Sequence, residues 1–443
     1  MSPAVLTLVV LAGMAVLFVT EVIPLAVTAM SGAIVLGCLG IITPTQVFSG
    51  LSNSTVVLFA GMFVIGSAMF HSGLAQKIGT TVVRACGSGE KNLMFGTMLI
   101  AAMLSSVSSN TGTTAALMPV IAGICTAASM SPSRQLMPLA YAAGLGGTIT
   151  LVGTPPNIIA NAALKAADVA PFGFFEFAKI GIPLTLAGML YMMFVGKRLL
   201  PKHAEEKTPE RDEEPASGKD LFCEPGQAQK EAAESESGQS RPHSAKKMLI
   251  TGSTLLVVIV VMALDIKRFP LEMAAVAGAI FLVLTRCISE TQAYRGIDWV
   301  TIFLFAGMMP VATALDKSGA GMLIADSVIA LVGDHPSPYA LCVVLFLLSA
   351  ILTQFMSNTA SAALLCPIGL SIAKGIGVSP QAVVMSIAIA ASCAFATPVG
   401  TPPNTLVLGA GGYRFMDYVR VGAPLVVICL IVSVLLIPVF WPF

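Results

Sequence analysis

Charge is what this sequence has least of. Of its 443 residues only 11% are Asp, Glu, Lys or Arg, while 56% are hydrophobic. A soluble protein carries roughly a quarter charged residues, so a soluble globular fold is excluded. Histidine is scarce as well: there are four, and His203 and His243 share one polar stretch. No His-Glu-x-x-His run and no pair of intramembrane aspartates occurs, which argues against a membrane-embedded hydrolase. The nine cysteines form no Cys-x-x-Cys pair and lie mostly inside apolar segments, as small packing residues do. A net charge of +1 gives no footprint for nucleic acid. No basic run precedes the apolar residues 3–19, so they do not read as a cleaved signal peptide.

What remains is a series of long apolar segments, at about 3–19, 22–41, 54–71, 92–107, 112–129, 136–152 and 178–199, then 248–264, 270–287, 299–315, 339–355, 360–373, 381–399 and 422–441. Most of these approach the length needed to cross a hydrocarbon core of about 30 Å. The expected fold class is therefore an all-α polytopic membrane protein. Residues 201–247 break the series with eleven acidic and eight basic residues, 19 of the chain's 47 charges. Such a stretch buries no apolar surface and reads as a flexible linker.

The second series copies the first. Pro24-Leu25 recurs as Pro270-Leu271, Thr45-Gln46 as Thr291-Gln292, and Phe59-Ala60-Gly61-Met62 as Phe305-Ala306-Gly307-Met308, each at an offset of 246. Ser109-Asn110-Thr111 recurs as Ser357-Asn358-Thr359 at 248, and Gly153-Thr154-Pro155-Pro156-Asn157 as Gly400-Thr401-Pro402-Pro403-Asn404 at 247. Landmarks that keep register over so long a span mark an internal duplication. The expected organisation is a first repeat at 1–200, the linker at 201–247 and a second repeat at 248–443. If the segments either side of Asn110 form a re-entrant hairpin, each repeat has five crossings plus a hairpin. Five is odd, so the second repeat enters the membrane upside down, giving inverted-topology repeats of the secondary-transporter kind. With both termini outside, short inside loops and helix ends carry twelve Lys/Arg and outside ones six. That favours a cytoplasmic linker.

The two tripeptides interrupt apolar segments with small polar residues. Backbone that leaves a helix at membrane depth needs partners that hydrocarbon cannot give, so such a break lines protein or a wet cavity. Asn and Thr are good N-caps for the outgoing helix, whose N-terminus suits an anion. The incoming helix ends in free carbonyls that suit a small cation. Ser105 and Thr353 each lie four residues before the first tip residue, one helical turn back, and complete an oxygen cage. In the Pro-Pro breaks, Gly153 and Gly400 offer carbonyls, Thr154 and Thr401 hydroxyls, and Asn157 and Asn404 cap the restarting helices. No Lys, Arg or His lies near either tip in sequence. A bound anion would then draw counter-charge from co-bound cations such as Na+. Glu21, Asp265, Glu272 and Asp316 sit at segment ends as interfacial caps rather than proton carriers, with Glu272 open to either role.

These residues resemble the divalent anion:sodium symporter family, which carries dicarboxylates, citrate or sulfate, within the broader ion transporter superfamily. The resemblance rests on the stretch Glu21 to Ala29, on both Ser-Asn-Thr motifs and on both Gly-Thr-Pro-Pro-Asn motifs, and it covers nearly the whole chain outside the linker. It implies one Na+ site of Ser105, Ser109, Asn110 and the Gly153 carbonyl, and another of Thr353, the Met356 backbone, Asn358 and the Gly400 carbonyl. It implies substrate contacts from Ser109, Asn110, Thr111 and Thr154, and from Ser357, Asn358, Thr359, Thr401 and Pro402. It further implies a homodimer in the plasma (bacterial inner) membrane that carries its substrate by an elevator movement. The retained Thr359 favours a dicarboxylate of the succinate, malate or fumarate type over sulfate. The open alternatives are Na+-independent dicarboxylate exchange and symport of sulfate, citrate or another small oxyanion.

Overall fold

In the computed structural model, residues 2–86, 89–128, 130–201, 244–264, 269–324 and 338–442 are described. Most of the expected linker (202–243) and Asp265 lie outside them. The first half contains α1 (Pro3–Thr20), α2 (Leu25–Cys38), α3 (Ser54–His71), α4 (Leu74–Cys86), α5 (Glu90–Ser105), α6 (Asn110–Ala127), α7 (Ser133–Gly147), α8 (Pro155–Ala166) and α9 (Ala178–Tyr191). The second contains α10 (Ala245–Ala263), α11 (Leu271–Leu284), α12 (Trp299–Ser318), α13 (Pro338–Leu352), α14 (Asn358–Ile376), α15 (Pro380–Ala391), α16 (Pro402–Ala410) and α17 (Phe415–Phe440). Among the described residues seven helices are long and apolar enough to span a bilayer, and α2, α11, α13 and α15 are shorter apolar helices. The protein is an all-helical, multi-pass membrane protein.

Local chemistry sets the helix ends. Pro155 and Pro402 stand at N1, the one helical position that loses nothing by lacking an N–H. Glu21 closes α1 in the left-handed region at φ 50°, its N–H bonded to Leu17. Asp316 reaches Lys374 at 3.6 Å across two elements of the second half.

Packing follows an exchange of the two halves. Helix α2 packs on α12, and its counterpart α11 packs on α3, the counterpart of α12. The crossings are close because both contacts are made through glycine. A Cβ on Gly61 would stand 2.8 Å from the Ala275 carbonyl carbon, and one on Gly307 would stand 2.6 Å from that of Ala29. Between them Phe59 and Phe305 meet with ring centroids 5.9 Å apart. The same exchange governs the centre. Helix α6 packs on α16 and α14 on α8, while α7 packs on α16 and α15 on α8. Each Ser-Asn-Thr helix thus lies against the Pro-Pro helix of the other half. Helices α7 and α15 are buried almost all round, residues 135–147 and 382–391 without exception, as expected of central helices. Helices α1, α10 and α17 keep most of their apolar surface outward, where lipid would cover it. Tyr141 fastens the halves by donating to the Phe395 carbonyl at 2.7 Å, and Tyr191 by donating to that of Val421 at 2.8 Å.

Candidate functional site

Both helix breaks lie where the sequence puts them. Helix α5 ends at Ser105 and α6 begins at Asn110; α13 ends at Leu352 and α14 begins at Asn358. The caps differ from expectation. Ser109 and Ser357, rather than Asn or Thr, cap the outgoing helices, accepting from Gly112 N at 3.3 Å and Ala360 N at 3.2 Å. A serine hydroxyl at Ncap reaches the N3 amide while leaving the next side chain free. That chain is the asparagine, and it turns back toward the incoming helix. The one-turn spacing from Ser105 to Ser109 does not survive, because residues 106–109 are non-helical; Ser105 meets Asn110 instead.

Around the Asn110 amide three oxygen-bearing groups converge. One terminal atom of its amide lies 2.5 Å from Ser105 Oγ and 3.2 Å from the carbonyl oxygens of both Ala143 and Gly153. Turned one way, the amide NH2 donates into this ring of oxygens. Turned the other way, Oδ1 joins them, and the Ser105 hydroxyl is left as the one donor among four oxygens. The ring is tightly fitted, since a Cβ on Gly147 would stand 2.5 Å from Asn110 Oδ1. The second half repeats part of it. Thr353 Oγ1 lies 2.8 Å from Asn358 Oδ1 and 2.7 Å from the Ala391 carbonyl, and one hydroxyl proton cannot serve both. Gly400 packs beneath, where a Cβ would stand 2.7 Å from the Thr353 carbonyl. Among the described residues no group of three or more His, Cys, Asp or Glu side chains gathers. The oxygens on offer come from hydroxyls, amides and backbone carbonyls and are neutral, a set suited to a hard monovalent cation.

Sequence reasoning missed two pairs of residues here. Ala143 and Ala391 contribute only backbone oxygen, so no side-chain signal marks them, although they stand 248 apart like the tips. Thr150 donates to the Ser106 carbonyl, and Thr397 to the Gln354 carbonyl at 2.7 Å. These hydroxyls staple each Pro-Pro break to the end of the incoming helix. Each also takes up one carbonyl at the end of the incoming helix. Their signal was legible, since they repeat at an offset of 247. Asn157 and Asn404 are not caps. Asn157 Nδ2 donates to the Gly147 and Thr150 carbonyls at 3.3 and 2.8 Å, and Asn404 Nδ2 to those of Ala394 and Thr397, both at 2.9 Å. They hold the loops before the Pro-Pro helices closed. Asn157 Oδ1 and Ser108 Oγ are buried without a hydrogen-bond partner, a state that costs roughly 1–3 kcal/mol per group unless something polar arrives.

The remaining residues singled out in the sequence are placed unequally. Ser109 and Pro402 are exposed; Thr111, Ser357, Thr359 and Thr401 are half-buried; Thr154 is buried at the start of α8. Met356 is buried with its N–H bonded to the Leu352 carbonyl.

A helical membrane protein whose two halves present matched helix breaks, with polar groups gathered where the breaks meet, is a transporter rather than an enzyme. The chain belongs to the citrate transporter family (CitMHS), whose profile matches residues 15–368 and 336–442. An uncharacterized transporter of Haemophilus influenzae is 31% identical, covering 97% of this chain and 90% of its own length. The uncharacterized Escherichia coli transporter YfbS is 28% identical over 97% of each chain. The sodium-dependent dicarboxylate transporter SdcS of Staphylococcus saprophyticus is 26% identical, covering 95% of this chain and 84% of its own. The solved structure of the Alcanivorax borkumensis YdaH transporter shares the fold, with a TM-score of 0.64 at 16% identity over 96% of this chain and 98% of that one.

Proposed function

We propose that this protein is a Na+-coupled symporter of C4-dicarboxylates of the succinate, malate and fumarate type, acting across the bacterial inner membrane by an elevator movement within a homodimer. The observation that carries the reading is the paired, neutral oxygen ring at Asn110 and at Asn358. With no lysine, arginine or histidine near either tip in sequence, a dianion needs counter-charge from elsewhere, and cations in these rings supply it. The SdcS relatives, named as sodium-dependent dicarboxylate transporters, support the same pairing of solutes.

In this reading Ser105, Ser109, Asn110 and the Gly153 carbonyl hold one Na+, joined by the Ala143 carbonyl. Thr353, Asn358, the Met356 and Gly400 backbone and the Ala391 carbonyl hold the second. Bound Na+ orients each asparagine with Oδ1 inward, so its NH2 points to the substrate. Ser109, Asn110, Thr111 and Thr154, with Ser357, Asn358, Thr359, Thr401 and Pro402, then meet the two carboxylates. The N-termini of α6 and α14 add their dipoles. Coupling follows from geometry, because an amide with its NH2 turned into the ring faces substrate with the wrong atom. Residues 1–200 and 248–443 form repeats of opposite orientation, each with a re-entrant hairpin, at α5–α6 and at α13–α14. Both termini lie outside and 201–247 in the cytoplasm; the Lys/Arg distribution supports that orientation.

Thermal unfolding of the purified protein tests the ligand pair. Succinate at about 100 times its Kd adds about 2.7 kcal/mol of stability by linkage. The expected result is a rise in melting temperature with succinate or malate in NaCl, little rise in choline chloride, and less with citrate or sulfate. An equal rise in both buffers would remove the Na+ coupling, and a dominant rise with sulfate would remove the dicarboxylate.

A further inference from the structure

Away from the helix breaks, five charged side chains converge on one cavity of about 350 Å³. It is lined by Glu90, Lys91, Met94, Arg134, Lys197 and Arg198. They come from the starts of α5 and α7 and from the turn that follows α9, three places far apart in sequence. Four cations face a single carboxylate. Arg134 already holds Glu90 at 2.7 Å, and Gln135 donates to the Glu90 carbonyl at 3.1 Å, so the carboxylate is spent on fixing the floor. Lys91, Lys197 and Arg198 are left with like charge around the mouth. The backbone aims two of them there. After Tyr191 the helix widens into a π turn, Met192–Gly196, before Lys197–Leu199 resume α-helical geometry. A π turn inserts a residue and rotates everything after it, and such turns concentrate at functional sites. Outside the cavity, α9 and this turn present Leu186, Leu190 and Phe194 to the surroundings, 56–64% exposed, as an apolar stripe leading toward the basic mouth.

We propose that this cavity binds a phosphate group, that of an acidic phospholipid whose acyl chains lie along the α9 stripe. A phosphodiester accepts hydrogen bonds from several cations at once, and guanidinium and ammonium groups are its usual partners. The proposal is independent of the transported solute.

The test uses full-length protein in nanodiscs of phosphatidylcholine with increasing phosphatidylglycerol, with bound lipid counted by mass spectrometry. A parallel arm titrates soluble pyrophosphate in detergent. The variant is K91Q/K197Q, which keeps the side-chain stems. K246Q/K247Q on α10, outside the cavity, controls for loss of surface charge. The expected result is retention of phosphatidylglycerol that drops about tenfold in K91Q/K197Q, stays at the parent level in K246Q/K247Q, and is not displaced by pyrophosphate. Displacement by pyrophosphate would keep the phosphate site and assign it to a soluble ligand. Equal retention in the parent and both variants, or an equal drop in both, would overturn the site.

Discussion

Asn110→Ala and Asn358→Ala should each abolish Na+-driven uptake of succinate while leaving a protein that purifies and melts as a folded particle. In the proposed function each asparagine would serve both solutes at once, with Oδ1 in the oxygen ring and NH2 toward the carboxylate. Truncation removes a cation ligand and a hydrogen bond to a charged group, the latter alone worth about 1.5–3 kcal/mol. With both lost, uptake falls about a hundredfold or more, since each 1.4 kcal/mol is tenfold. The fold survives because the caps are the neighbouring serines, Ser109 and Ser357, and because both asparagines are only half-buried. Both variants should be inactive, since each asparagine meets the preceding hydroxyl, Ser105 or Thr353, in the same way. Radiolabelled uptake in proteoliposomes checks this, and near-parent transport in either variant would remove that residue from the site.

Asn404→Leu acts through the scaffold and should lower both stability and transport. Both amide hydrogens of this buried side chain are committed, to the Ala394 and Thr397 carbonyls at 2.9 Å. Leucine leaves two buried carbonyls unpaired, at a cost of roughly 1–3 kcal/mol each. The loop that carries Thr397, Gly400 and Thr401 then loses its closure. The Thr397 bond to Gln354 that fastens this loop to the incoming helix weakens with it. A lowered melting temperature accompanied by lost uptake is the expected pair of results. Lost uptake with an unchanged melting temperature would give Asn404 a direct ligand role instead.

Much of this arrangement was legible in the sequence because it rests on residues with narrow backbone tolerances. A double proline can only begin a helix, so Pro155 and Pro402 start α8 and α16 where the motif says. Three small polar residues in an apolar run break it, so Asn110 and Asn358 open new helices. The repeat register equates Gly61 with Gly307, and both turn out to carry the same close crossing. What escaped has no local signature. Whether serine or asparagine caps a helix depends on which side chain has a partner elsewhere, and the asparagines have Ser105 and Thr353. Backbone oxygens of alanine carry no sequence signal at all. The exchange of Pro-Pro helices between halves is a tertiary contact that no window along the chain contains. Likewise Lys91, Arg134, Lys197 and Arg198 count as charges at helix ends in the sequence. Only folding brings them around one cavity.

The most direct test of the central claim is counterion-controlled flux. Proteoliposomes loaded without dicarboxylate receive external radiolabelled succinate, with either an inward Na+ gradient or choline in its place. The account predicts concentrative uptake with the Na+ gradient and none with choline. Uptake that is unchanged without Na+, and that instead depends on preloaded internal dicarboxylate, would contradict it.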